Sequence, residues 1–294
     1  MSARPSTSHD HAPGDASGNA PGYRAIRFNM DWITRPLFGI LLGLFTICVV
    51  VYGAKTVAIA VALAFAVAAL EWHRCVAGAE RRPEAALTAV TVAVCEATFL
   101  YGGVWAALAV VAVGTAAGFV LALKRDKHPF WHAAGTPYLA LPALSLVALR
   151  GVSNGLILIG LFLIVWATDT GALIFGNLIG GPRLAPKLSP AKTWAGTIGG
   201  SIAAALVFTF YLHVLLGGSA LVALAFGFLF SFSAHAGDLV ESLVKRRFGV
   251  KNSGSVIPGH GGILDRIDST LVAAPVMALL VFVAHFNPLF GVHA

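Results

Sequence analysis

Residues 219–269 read SALVALAFGFLFSFSAHAGDLVESLVKRRFGVKNSGSVIPGHGGILDRIDS. Residues 219–236 are an apolar run close to the roughly 20 residues that an α-helix needs to cross a bilayer. At Gly237 the chemistry changes. Four carboxylates (Asp238, Glu241, Asp265, Asp268), five cations (Lys245, Arg246, Arg247, Lys251, Arg266) and His260 crowd 33 residues of a chain that is only 11% charged. Apolar sequence resumes at 270. A polar segment held between two spans is a site.

Working outward, similar runs lie near 36–54, 56–71, 85–101, 104–123, 134–149, 154–180, 195–216, 219–236 and 270–290. The 134–149 run is short, and the 154–180 run exceeds one span, with Gly171 a point where it can break. These runs predict an all-α, polytopic integral membrane protein of about nine transmembrane helices. A composition 57% hydrophobic, with 32 glycines in 294 residues, agrees. With the N-terminus in the cytoplasm, 18 of the 20 basic residues fall on the cytoplasmic side and only Lys55 and Arg150 outside, as the positive-inside rule requires. That topology places 237–269 in the cytoplasm. Residues 1–30, rich in Ser, Pro, Gly and His, read as a disordered cytoplasmic tail, leaving 31–294 as one membrane-embedded domain.

The net charge of +7 sits on short loops against the membrane, which points to anionic headgroups and phosphorylated substrates and away from nucleic acid. Cys48, Cys75 and Cys95 have neither a pairing pattern nor metal-ligand spacing, and read as small core residues.

Within the polar segment, Asp238, Glu241, Ser242 and Lys245 share one helical face that prolongs the eighth span. Asp265 and Asp268, three apart, open the ninth. Two carboxylate pairs on two helix ends can converge on a hard cation such as Mg²⁺, or pair with Arg246, Arg247 and Arg266. Gly261 and Gly262, in PGHGG at 258–262, let backbone approach a ligand; a neutral turn histidine is the alternative at His260. Upstream, in GPRLAPKLSPAKTW (181–194), Ser189 and Lys192 precede a helix start suited to phosphate, although Arg183 and Lys187 read equally as membrane anchors. Asp169 and Glu96 lie inside apolar runs, where a carboxylate is costly. Asp169 is placed to reach a cytoplasmic cavity, Glu96 to make an interhelical hydrogen bond.

From Ser242 to Asp268 these residues resemble the signature of the phosphatidate cytidylyltransferases, or CDP-diacylglycerol synthases. Ser242, Lys245, Arg246, Lys251, Pro258, His260, Gly261, Gly262, Asp265, Arg266 and Asp268 meet it, and ATDTGA (167–172) and LSPAKTW (188–194) extend it, so that the motif-bearing part is 165–270. Asn252 stands where the signature has Asp, and Ala195 where many relatives have Glu. The resemblance implies cytidylyl transfer from CTP to phosphatidate at the cytoplasmic face of a bacterial-type inner membrane, with two divalent ions, Mg²⁺, as cofactors. It implies metal ligation by Asp238, Asp265 and Asp268. Lys192, Lys251, His260, Asp265 and Arg266 become the expected catalytic residues, and Ser189, Lys245, Arg246, Asp169, Gly261 and Gly262 the expected substrate-binding ones. A homodimer is the expected assembly. The rival readings are a CTP-using enzyme with another lipid acceptor, such as a polyprenol kinase, a transporter working through Asp169 and Glu96, and a silent relative.

Overall fold

The structure, a computed structural model, describes residues 31–79, 81–254 and 261–283, with the side chains of 31–38 excepted. The expected tail (1–30), His260 and the end of the ninth run lie outside the described residues. Contacts group residues 1–43 apart from 44–294. In the first group the described residues are the opening turns of helix α1 (Asp31–Tyr52), and all that follows concerns the second.

The protein is a polytopic helical membrane protein. After α1 come α2 (Ala54–Ala77), α3 (Arg82–Gly102), α4 (Val104–Leu123), α5 (Pro129–Gly151), α6 (Leu156–Ile179), α7 (Trp194–Thr209), α8 (Ala220–Arg247) and α9 (Leu264–Phe282). Among the described residues, seven helices are long and apolar enough to cross a membrane, α2 to α8. Of α1, the stretch 39–52 is apolar but shorter, and α9 carries Asp265, Arg266 and Asp268 in its first turns.

The run that looked weakest is the centre of the bundle. In α5, 78% of the spanning window is buried, against 28–44% in the others. A helix enclosed by other helices needs small side chains more than lipid-facing leucines, and Ala140, Ala143, Leu139 and Leu149 are wholly buried.

The long 154–180 run does not break at Gly171; α6 continues to Ile179. Glycine there serves close approach. A Cβ on Gly171 would lie 2.9 Å from the Gly200 Cα of α7, and one on Gly200 would lie 2.6 Å from the Thr168 carbonyl. With α6 and α7 in backbone contact, Thr168 donates to Ser231 (2.9 Å) and Ser231 to Ser201 (3.0 Å). This hydroxyl chain joins α6, α8 and α7 beside Asp169.

The 181–194 loop is ordered as an antiparallel hairpin of β1 (Arg183–Ala185) and β2 (Ser189–Thr193). Thr193 then caps α7, its hydroxyl accepting from the Gly196 N–H at 3.1 Å. This is the helix start expected at LSPAKTW.

Candidate active site

The described parts of the polar loop, residues 253–254 and 261–264, are organised from the other half of the chain. Glu71, at the end of the apolar part of α2, is buried at 3% exposure. Its carboxylate accepts from the Ile263 N–H (3.0 Å), the Leu264 N–H (2.7 Å) and the Ser253 hydroxyl (3.3 Å). Two of these donors are the backbone groups that α9 leaves unpaired at its N-terminus, where a negative charge is favourable. Gly262 admits the carboxylate, since a Cβ there would lie 2.5 Å from either Glu71 oxygen.

Asp265 holds the same loop from within. It accepts from the Gly262 N–H at 3.0 Å and the Ser253 N–H at 3.2 Å, and Lys245 of α8 donates to its other oxygen at 2.9 Å. Gly261 makes the turn with φ +84°, and a Cβ there would lie 2.9 Å from Asp265 Oδ2. Asp265 precedes the apolar stretch of α9. Burial alone would push its carboxyl up, but the Gly262 N–H and the Lys245 ammonium hold it below the usual carboxylate range. Lys245 also lies 3.2 Å from Glu241, buried one turn earlier.

A second cluster gathers around Lys192, at the end of β2. Its ammonium is ion-paired with Asp238. Asp169 of α6, Asp238 of α8 and Asp268 of α9 lie within electrostatic reach of one another. The close packing behind them is set by Gly237, where any Cβ would collide with the Asp268 carbonyl. Burial and then the Asp238 carboxylate push the Asp268 carboxyl up. Ser269 donates to Asp169 at 3.5 Å, and His235 meets the Thr197 carbonyl at 3.2 Å. The hairpin is tied down by Arg246, whose Nε donates to the Leu188 carbonyl at 3.2 Å.

The structure thus brings together Lys192, Asp169, Asp238 and Asp268 in one group, and Lys245, Asp265, Gly261 and Gly262 in the adjoining one. Ser189 lies within β2, and Lys251 and Arg266 are exposed. Lys192 pairs with Asp238, and Lys245 with Glu241 and Asp265, while Arg246 binds a backbone carbonyl. Asn252 is exposed and lines a small pocket with Arg74, Cys75 and Ser253. Glu96 is buried in α3, with Oε1 making no hydrogen bond among the described residues.

Among the described residues no three His, Cys, Asp or Glu side chains form a cage for a metal ion. Mg²⁺ seldom uses such a cage; one or two carboxylates with substrate phosphates and water suffice. Asp238 and Asp268 fit that role, being oxygen donors on two helix ends whose mutual repulsion a cation relieves. Asp265 accepts from an ammonium and two backbone N–H groups, and so also organises the loop.

Sequence reasoning missed Glu71. Its signal was an acid closing an apolar run, in ALEWHRC (69–75), but nothing local names a partner 193 residues away.

The chain is 45% identical over 153 residues to the phosphatidate cytidylyltransferase of Brucella suis, a match covering 51% of this chain and 56% of that protein. Over 133 residues it is 41% identical to the phosphatidate cytidylyltransferase of Rickettsia bellii (43% and 57%). Over 120 residues it is 48% identical to that of Staphylococcus epidermidis (40% and 46%). The matched part spans about half the length of these curated relatives. A model of the cytidylyltransferase family matches far more, residues 33–284, and by that match the chain belongs to the cytidylyltransferase family.

Proposed function

We propose that the protein transfers a cytidylyl group from CTP to phosphatidate, giving CDP-diacylglycerol and pyrophosphate, at the cytoplasmic face of a bacterial inner membrane. The observation that carries this reading is the Lys192–Asp238 pair set among Asp169 and Asp268, carboxylates of α6, α8 and α9. It supplies cationic and metal-binding groups at the level where a lipid phosphate meets the cytosol. The names of the relatives support the choice of substrates.

In the proposed reaction a phosphate oxygen of phosphatidate attacks the α-phosphorus of CTP. The bond from that phosphorus to the oxygen bridging it to the β-phosphate breaks, and pyrophosphate leaves with the bonding pair. The lipid phosphate is already ionised near neutral pH, so no side chain has to remove a proton. Divalent cations held by Asp238 and Asp268 supply charge neutralisation between the two polyanions.

The rest falls to the chain. Lys192 is held in place by Asp238 and donates to phosphate oxygens. Lys251 and Arg266, exposed beside the loop, neutralise what remains, with arginine suited to bidentate contact. Asp265 and Glu71 act at one remove, fixing the loop and the start of α9. Catalysis on this reading is mainly positioning and electrostatics.

The test is direct. Purified protein incubated with phosphatidate, labelled CTP and Mg²⁺ should yield a labelled lipid and labelled product only when both substrates are present. No labelled lipid from folded protein would refute the assignment.

A further inference from the structure

A cavity of about 640 Å³ lies between α2 and α3, away from the Lys192 cluster. That volume is within the roughly 300–1,000 Å³ usual for ligand sites. Its walls are apolar: Val67 and Leu70 on α2, Ala86 and Ala89 on α3. Its opposite end is cationic, with Arg74 in the last turn of α2 and Arg81 and Arg82 where α3 begins. Arg81 is fixed by Asp126 at 2.8 Å. Arg74 is exposed. Glu71 also borders the cavity, but its oxygens are turned to Ser253, Ile263 and Leu264.

We propose that this groove seats an acyl chain of phosphatidate on entry and that Arg74 receives its phosphate first, before the phosphate passes to the Lys192 cluster for transfer. The inference rests on the proposed use of phosphatidate as substrate, and three features of the groove carry it. Its charge is complementary to one class of occupant, an apolar chain ending in an anion. Its orientation suits a bilayer: α2 and α3 are both long and apolar enough to span, and the arginines sit together at the turn that joins them. From Arg74 to Val67 is seven residues, about 10 Å along the helix, so a phosphate at Arg74 leaves its chain against apolar wall.

Its position is the third feature. Gly254 lines the same cavity, and Arg74 also lines the neighbouring pocket with Asn252, Ser253 and Gly254. A phosphate on Arg74 therefore lies against the loop that Glu71 and Asp265 hold in place.

The experiment compares wild type with Arg74→Gln and Ala89→Trp, the first removing charge and the second filling the groove. Phosphatidate and phosphatidylcholine binding to detergent-purified protein is measured by native mass spectrometry, and turnover is measured while phosphatidate and CTP are varied separately. Losing a charge-assisted phosphate contact should raise the apparent KM for phosphatidate about tenfold or more while that for CTP stays within about twofold. Arg74→Gln should also lose the preference for phosphatidate over phosphatidylcholine, and Ala89→Trp should weaken binding of both lipids. Unchanged binding and unchanged KM in both variants overturn the groove.

Wild type that makes no CDP-lipid, with phosphatidate binding that still depends on Arg74, would uphold the groove and sink the catalytic reading. Product formation that ignores both variants would do the reverse. Glycerol 3-phosphate displacing phosphatidate at equal concentration would also overturn the proposal, since the occupant would then be a free phosphate.

Discussion

Glu71→Ala tests the architecture of the site most severely. The substitution removes the acceptor of two backbone N–H groups and one hydroxyl, all within 3.3 Å of the carboxylate. A buried donor left without a partner costs about 1–3 kcal/mol, so the two backbone donors alone put the loss at about 2–6 kcal/mol. That penalty applies only while the loop stays docked, so the loop and the first turn of α9 should open locally before the bundle unfolds. At the lower bound of about 2 kcal/mol, opening becomes roughly thirtyfold more frequent. Hydrogen exchange followed by mass spectrometry on peptides covering 253–269 should show this increase, with α5 peptides unchanged as the internal control. Glu71→Gln keeps one acceptor and should fall between wild type and Ala. Product formation should decline in the same order. Exchange in 253–269 within about twofold of wild type for Glu71→Ala would refute the claim that this carboxylate holds the loop.

Asp238→Ala removes the partner of Lys192 and a proposed cation ligand, and should lower CTP-dependent product formation by about 10²-fold or more. Near wild-type turnover in folded protein would sink its assignment. Asn252→Asp introduces a carboxylate into the pocket that contains Arg74, and should raise the apparent KM for phosphatidate while leaving the Mg²⁺ titration unchanged. A lower Mg²⁺ requirement would instead make position 252 a metal ligand. Gly200→Ala forces a Cβ to 2.6 Å from the Thr168 carbonyl and 3.0 Å from the Ala172 nitrogen, an overpacking worth about 1–3 kcal/mol. Its thermal midpoint in detergent should fall, whereas Gly102→Ala, whose added Cβ meets only ordinary contacts at 3.6 Å, should leave it unchanged.

Much of this molecule is legible without coordinates because membrane helices obey rules that act along the chain. Length and hydropathy locate the apolar runs, and helical periodicity puts Asp238, Glu241, Ser242 and Lys245 on one face of what is indeed a single helix, Ala220–Arg247. What is not legible is pairing between distant segments. Asp265 reads as a metal ligand in sequence, and nothing local to it shows that it also accepts from Lys245 and from the Ser253 and Gly262 N–H groups. Lys192 and Asp238, 46 positions apart, meet because β2 leads into α7 and α7 packs on α8, where a Cβ on Gly227 would lie 2.5 Å from the Ala205 Cα. The SPAKT segment (189–193) contains a proline and reads as loop, but its short partner β1 is enough to make it a strand.

The contact between Glu71 and Leu264 also has a temporal side. The two residues are 193 positions apart, and at about 5–20 residues per second of synthesis the carboxylate is made roughly 10–40 s before its backbone partners exist. Through that interval α2 has to sit in the bilayer with an acid at its end and no N–H groups to receive it. The nascent chain therefore cannot assemble a working site from its early helices alone. A ribosome that stalls before α9 leaves behind a bundle in which the Glu71 carboxylate has neither the Ile263 nor the Leu264 N–H to accept from.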